Sequence, residues 1–365
     1  MKWRTACASA AVAIGMSLAA GANSRAAATC TPTNFYVDGI NMTAAEINPG
    51  DVTGGTVDAT GCNIGIYYDD GTDGGTVGGT VSGATVENAN YFGIVANGGG
   101  GNAVVTVNVL NSTIENIEEN PPNGDQHGNA VFYINGSTDS GVDDSRTCST
   151  AADAGTNGTV SGNIVSGYQK NGITAKCPGV NVIVSGNTVT GAGEVDYIAQ
   201  NGIELGQGAT GSIDGNSVTG NRYTGTNDAD SSGILVFGGG PFGPLTTGAH
   251  VTDNTLTDND VGIYAVSCNA DCSGPPDTPT VEIIRKNVIS NAGVSNVSGC
   301  GSPQGYQAAI SDLGRNDQIG KNTISGPGYA TNNVACTGTG TTPTLFAIDT
   351  TGSNAKVHKS NIVSP

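Results

Sequence analysis

Short apolar anchors alternate along this chain with runs of glycine, asparagine, serine and threonine, and the anchors fall into two recurring phrases. The first phrase reads Asn-Gly-Ile or a variant, with anchors Ile66, Ile94, Val131, Ile173, Ile203, Ile234, Ile263, Ile310 and Ile348. The second reads Gly-Asn-Thr-Val or a variant, with anchors Val86, Ile114, Val165, Val189, Val218, Leu256, Ile289, Ile324 and Val363. Within the phrases β-branched residues alternate with small polar ones, as in Asn181-Val-Ile-Val-Ser-Gly-Asn-Thr-Val189. That period of two predicts short strands closed by turn residues, with no helical period in the body of the chain.

The spacing of the anchors sets the size of the unit. From second phrase to first the shortest steps are 7 or 8 residues, and the shortest return steps are 14 to 16. A minimal repeat of about 21–24 residues is too short for a strand-helix pair and fits a coil of short strands joined by turns. Self-similarity at such a period marks a solenoid, in which each unit buries its apolar edge only against the next. The expected architecture is an all-β parallel β-helix (solenoid) of about nine coils over residues 51–365. Residues 29–50 precede the array as a cap segment. Within them Thr43-Ala-Ala-Glu46 fits a capping box, so a single helical turn is expected over the first coil.

The phrases Val184-Ser-Gly-Asn-Thr-Val189, Ile213-Asp-Gly-Asn-Ser-Val218, Val251-Thr-Asp-Asn-Thr-Leu256 and Gly320-Lys-Asn-Thr-Ile324 resemble the asparagine-rich repeat branch of the pectate-lyase-like superfamily. The resemblance covers roughly residues 50–365. It implies a right-handed, single-stranded parallel β-helix and leaves function open, since that superfamily holds lyases, hydrolases, epimerases, tailspikes and adhesins. The Arg-x-Pro-x-Arg of its pectate lyases is missing, as are the Asp-Pro-His-Asp of its alginate epimerases and the signature blocks of its polygalacturonases.

The chain start changes the picture of where the protein works. Basic Met1-Lys-Trp-Arg4, apolar Ala6 to Ala20 and small Ala26-x-Ala28 have the layout of a secretory signal peptide over residues 1–28. Its removal takes Cys7 and leaves Cys30, Cys62, Cys148, Cys177, Cys268, Cys272, Cys300 and Cys336, an even set that reads as disulfides between neighbours in an extracellular protein. The pairing expected is 30–62, 148–177, 268–272 and 300–336. Removal of Lys2, Arg4 and Arg25 leaves 10 basic against 31 acidic side chains, a net charge of −21. Such a surface repels nucleic acid and anionic membrane, and no later apolar run is long enough for membrane insertion. It tolerates a neutral extracellular glycan, whereas an anionic polysaccharide needs local lysine, arginine or Ca²⁺.

Chemistry is expected where the beat stretches. Five coils carry extra residues at one corner, 115–128, 190–200, 219–231, 290–308 and 325–345, and stacked loops of this kind wall a groove. They bring Asp125, His127, Glu194 and Arg222, with Lys170 on a neighbouring strand, as candidate catalytic residues. Tyr197, Gln200, Glu204 and Tyr223 are candidate substrate contacts. Paired carboxylates such as Asp125 and Glu194 suit glycoside hydrolysis. Alternatively, Lys170 or Arg222 as base, with Ca²⁺ on the acids, suits β-elimination from a uronate. The same acids also read as a structural Ca²⁺ site or a solvated rim, and a non-catalytic adhesive β-helix is the competing class, favoured by aromatic residues at only 5%. A second Ca²⁺ candidate is the glycine-rich loop with Asp69, Asp70 and Asp73. One stacked column, Asn129, Asn171, Asn201 and then Ser232, is expected to form an amide ladder, with His127, Gln169 and Gln200 two residues or one residue earlier.

Overall fold

The structure is a computed structural model, and it describes residues 29–70, 77–99, 103–136, 148, 155–225, 229–293, 306–329 and 344–364. Three long sheets run along one axis, and every neighbouring pair of strands from coil to coil is parallel. Each coil visits the three sheets in the same order, and nine complete coils are present among the described residues. The chain is therefore a parallel β-helix.

The two phrases form two of the sheets. Ile66, Ile94, Val131, Ile173, Ile203, Ile234, Ile263 and Ile310 are all buried and stack in register through the Gly-Ile sheet. Val86, Ile114, Val165, Val189, Val218, Leu256, Ile289 and Ile324 do the same in the Asn-Thr sheet. The third sheet was hidden inside the second phrase. Its inward residues Val81, Val109, Val160, Val184, Ile213, Val251, Ile284 and Ile319 each lie five positions before the Asn-Thr anchor. Full burial of one such side chain contributes roughly 1.5–3 kcal/mol, so many thin layers add up to a stable rod without a wide core.

Between the third sheet and the Asn-Thr sheet the chain turns sharply through one residue in the left-handed region. Gly162, Gly186, Gly215, Asp253, Lys286 and Lys321 occupy that position, with φ between 56° and 68°. The next residue is a buried asparagine in each of these coils: Asn163, Asn187, Asn216, Asn254, Asn287 and Asn322. Each donates its amide to the Oδ1 of the asparagine above, at 2.9–3.0 Å, and to a third-sheet carbonyl. Asn361 closes the ladder by accepting from Asn322. A buried polar spine thus meets its hydrogen-bonding needs entirely by repetition. The ladder expected in the Gly-Ile sheet is shorter. Asn201 donates to Asn171 (3.0 Å) and Ser232 to Asn201 (2.7 Å), while Asn129 accepts from Thr174.

The N-terminal end is covered by an antiparallel hairpin, Thr31–Val37 with Ile40–Ile47. This corrects the helical turn expected at Thr43–Glu46, which lies inside the second strand. Met42 and Ala44 alternate inward, and Ala44 and Glu46 pair with Ile64 and Ile66. An open solenoid presents a strand edge, and here the second hairpin strand satisfies it by pairing with Ile64–Asp69. At the other end Val363 is 38% exposed and Ile348 only partly buried, and among the described residues no further coil stacks on them. Disulfides Cys30–Cys62, Cys148–Cys177 and Cys268–Cys272 form as expected. The signal peptide reading, Asp73 and the Cys300–Cys336 pairing lie outside the described residues. Among the described residues no helix is long and apolar enough to cross a membrane.

Candidate functional site

On the outer face of the Gly-Ile sheet lies a cleft of about 610 Å³. Its floor is built by the strand period. In Asn171–Lys176 the anchor Ile173 and Ala175 point inward, so Thr174 and Lys176 face outward, and Asn171 at the start of the strand also lines the cleft. The next strands repeat the rule, and register places Glu204, Leu235 and Tyr264 in one outward column. One wall comes from the stretched corner, through Gln126, Ala199 and Asp230. The opposite wall comes from the loop after the Gly-Ile sheet, through Gln207, Pro241 and Phe242.

The chemistry on that floor is concentrated. Glu204 is only 5% exposed and its Oε2 accepts from the Asn171 amide at 2.9 Å. Lys176 is 6% exposed, and its ammonium stands 5.5 Å from the centre of the Phe132 ring. Among the described residues no carboxylate lies within ion-pair distance of Lys176. Lys170 donates from Nζ to the Ala199 carbonyl at 2.6 Å, at the foot of the corner wall. Phe237 and Phe242 meet edge to face, with ring centres 5.9 Å apart. Amides of Asn129, Asn171 and Asn201 complete one side.

The five residues expected to be catalytic do not meet. Lys170 alone lines the cleft, together with the expected substrate contact Glu204. His127 is buried in a separate cluster, with Nε2 2.9 Å from Asp38 Oδ2 and its ring stacked 4.0 Å from Tyr91. Asp125 and Glu119 offer carboxylate oxygens to the same cluster, all ligand atoms lying within 4.8 Å of one another. The cluster ties the corner loop to the N-terminal hairpin. Glu194 and Arg222 pair with each other at 3.3 Å on the extended Asn-Thr strands, where Arg222 also donates to Asn291 (2.6 Å) and Gly293.

The remaining candidates divide by exposure. Gln200 has no exposed surface, because its amide donates to the Tyr168 and Gln169 carbonyls and its Oε1 accepts from the Ala192 N–H. Tyr223 is buried at the end of its strand, against Gly225. Tyr197 is half-buried, and burial followed by the Glu118 and Asp196 charges pushes its phenol up. Gln169, like Gln200, is fully buried and holds the 118–128 loop through Glu119, Asn123 and Asp125. Asp69 is bridged to Asn48 at 2.6 Å and 3.0 Å, and burial with the Asp69 charge pushes Asp70 up.

Lys176 is the charged cleft residue that sequence reasoning missed. Counting outward from Ile173 by the period of two identifies it. No protein-family model, curated protein or solved structure matches this chain.

Proposed function

We propose that this chain is an exported β-helix protein of the pectate-lyase-like kind that binds an extracellular glycan in the cleft on its Gly-Ile sheet. The observation that carries the reading is the cleft lining: three asparagine amides, Lys176, Glu204 and the Phe237 and Tyr264 rings on stacked strands, with Lys170, Asp230 and Phe242 on the walls. Amides and charged groups suit sugar hydroxyls, and ring faces suit pyranose faces. The lining residues include Lys170 and Lys176 against Glu204 and Asp230, so the cleft is formally neutral on a chain of net charge −18. That balance favours a neutral glycan, or one with isolated carboxylates, over a dense polyanion. The leader-like start and the disulfides support an extracellular setting.

A catalytic reading is favoured by one further observation. Glu204 and Lys176 are nearly buried, lie on adjacent strands and are not paired with each other. A carboxylate and an amine so placed suit acid–base work on a glycosidic or uronate C–H bond. The test is a panel of neutral and uronate-containing glycans, scored by binding and by mass spectrometry of the products. Binding that falls at least tenfold in Lys176→Met and Phe237→Ala supports the cleft. Hydrated or unsaturated oligomers that vanish in Glu204→Gln support catalysis. A panel with neither binding nor products overturns the proposal.

A further inference from the structure

Near the C-terminal end, two core columns change character. The inward column of the third sheet reads Val182, Gly211 and Ala249, then Glu282 and Asp317 by the same register. The inward column two residues beyond the Gly-Ile anchors reads Ala175, Leu205, Val236 and Ala265, then Asp312. Glu282 and Asp317 have no exposed surface, and Asp312 is 3% exposed. Three carboxylates therefore sit where the preceding coils keep small, aliphatic or, at Tyr68 and Tyr133, aromatic side chains, none of them charged.

They lack the partners that buried acids require. Among the described residues no lysine, arginine or histidine lies within ion-pair distance of any of them. The nearby Arg315 guanidinium is spent on the Pro276 and Asp277 carbonyls. Asp317 Oδ1 accepts from Thr280 (2.6 Å) and from the Glu282 N–H (2.7 Å), and Glu282 Oε1 has only the Ser267 hydroxyl at 3.5 Å. Among the described residues Glu282 Oε2 is buried without a hydrogen-bond partner, and the Asp312 and Asp317 carboxyls face each other, Asp312 having in addition only the Ser353 side chain and the Gly314 backbone within reach. One oxygen from each residue lies within 4.8 Å of the others. Oxygens on opposite sides of a Ca²⁺ ion, each at roughly 2.3–2.6 Å from it, are separated by about that distance. Gly314 also has no side chain where a Cβ would run into Asp317 Oδ2.

We propose that Glu282, Asp312 and Asp317 form a structural Ca²⁺ site that joins the last coils of the solenoid. The donors are all hard oxygens, with no imidazole or thiolate to draw a softer metal. The ion supplies the positive charge that this part of the core lacks. Burial, then the Asp317 charge, otherwise pushes Asp312 up to about 8, and burial raises Glu282 and Asp317 as well.

The test uses the mature chain, unfolded in chelator and refolded with or without Ca²⁺. The expected result is one strongly bound Ca²⁺ assigned to this site and a melting temperature that rises with Ca²⁺ concentration. In the double variant Glu282→Gln/Asp312→Asn that ion and the rise are both lost, while the melting temperature without Ca²⁺ is not lower than that of the metal-free wild type. Should the double variant fail to accumulate, Glu282→Gln alone must weaken Ca²⁺ binding at least tenfold. A wild-type chain whose melting temperature ignores Ca²⁺, or a variant that keeps the ion and the rise, overturns the site.

Discussion

Glu204 and Glu282 are both nearly inaccessible carboxylates in the same solenoid, and they sit on opposite sides of its strands. Glu204 points outward, accepts from the Asn171 amide and shares a cleft with Lys170 and Lys176. Glu282 points inward, in a column that earlier coils fill with Val182 and Ala249, and faces Asp312 and Asp317. Burial alone does not tell what a carboxylate needs. An outward acid is served by amides, water and a ligand that enters the cleft. An inward acid has only what the stack provides, and here the stack provides other acids.

The sharpest way to break this contrast is to place an inward acid alone. Ala175 occupies the column that later holds Asp312. Ala175→Asp should cost about 4 kcal/mol or more, since a buried polar charge without partner or cation is strongly unfavourable. Chemical denaturation checks it, and a variant as stable as wild type would show that inward acids need no special provision. A smaller loss is expected from the satisfied polar spine. Asn216→Leu removes a rung bonded to Asn187, Asn254 and the Val184 carbonyl, and should cost about 3 kcal/mol by leaving buried groups unpaired.

On the outside the same kind of change should be mild for folding and severe for binding. Glu204→Gln keeps an oxygen for the Asn171 amide, so stability should stay within about 1 kcal/mol of wild type. Glycan binding or turnover should fall at least tenfold. The smallest effect belongs to a solvated row of acids on the Asn-Thr sheet, where Asp58, Glu87 and Glu115 stand in register. Burial, then the Asp58 and Glu115 charges, raises Glu87. A raised folded value means the unfolded chain ionises first, so this group's cost grows as pH rises above about 4.3. Glu87→Gln should therefore be slightly more stable than wild type at pH 7 and equal to it at pH 3, measured by thermal melts. A variant less stable at pH 7 would contradict that sign.

The regular part of the molecule was legible because period, register and burial are one constraint in a solenoid. Nearly every Ile and Val anchor read from the two phrases is buried, and the exceptions fall at the uncovered end. The third sheet was less visible, since a five-residue step fuses Val184 and Val189 into one phrase. Irregular corners defeated the reading of the site. A loop has no period to say where a side chain points, so Asp125, His127, Glu194 and Arg222 looked like neighbours and instead fall into two clusters. Lys176, Glu282, Asp312 and Asp317 obey the strand period. They were findable by counting from Ile173, Ile284, Ile310 and Ile319, a count that matters only once the columns are aligned.

The contrast between inward and outward acids is tested most directly by a crystal structure of the mature chain grown with Ca²⁺, with an anomalous difference map. A single strong peak is expected among Glu282, Asp312 and Asp317, about 2.3–2.6 Å from one oxygen of each, and none on Glu204. Carboxylates bonded directly to one another as protonated acids, with no peak between them, would contradict it.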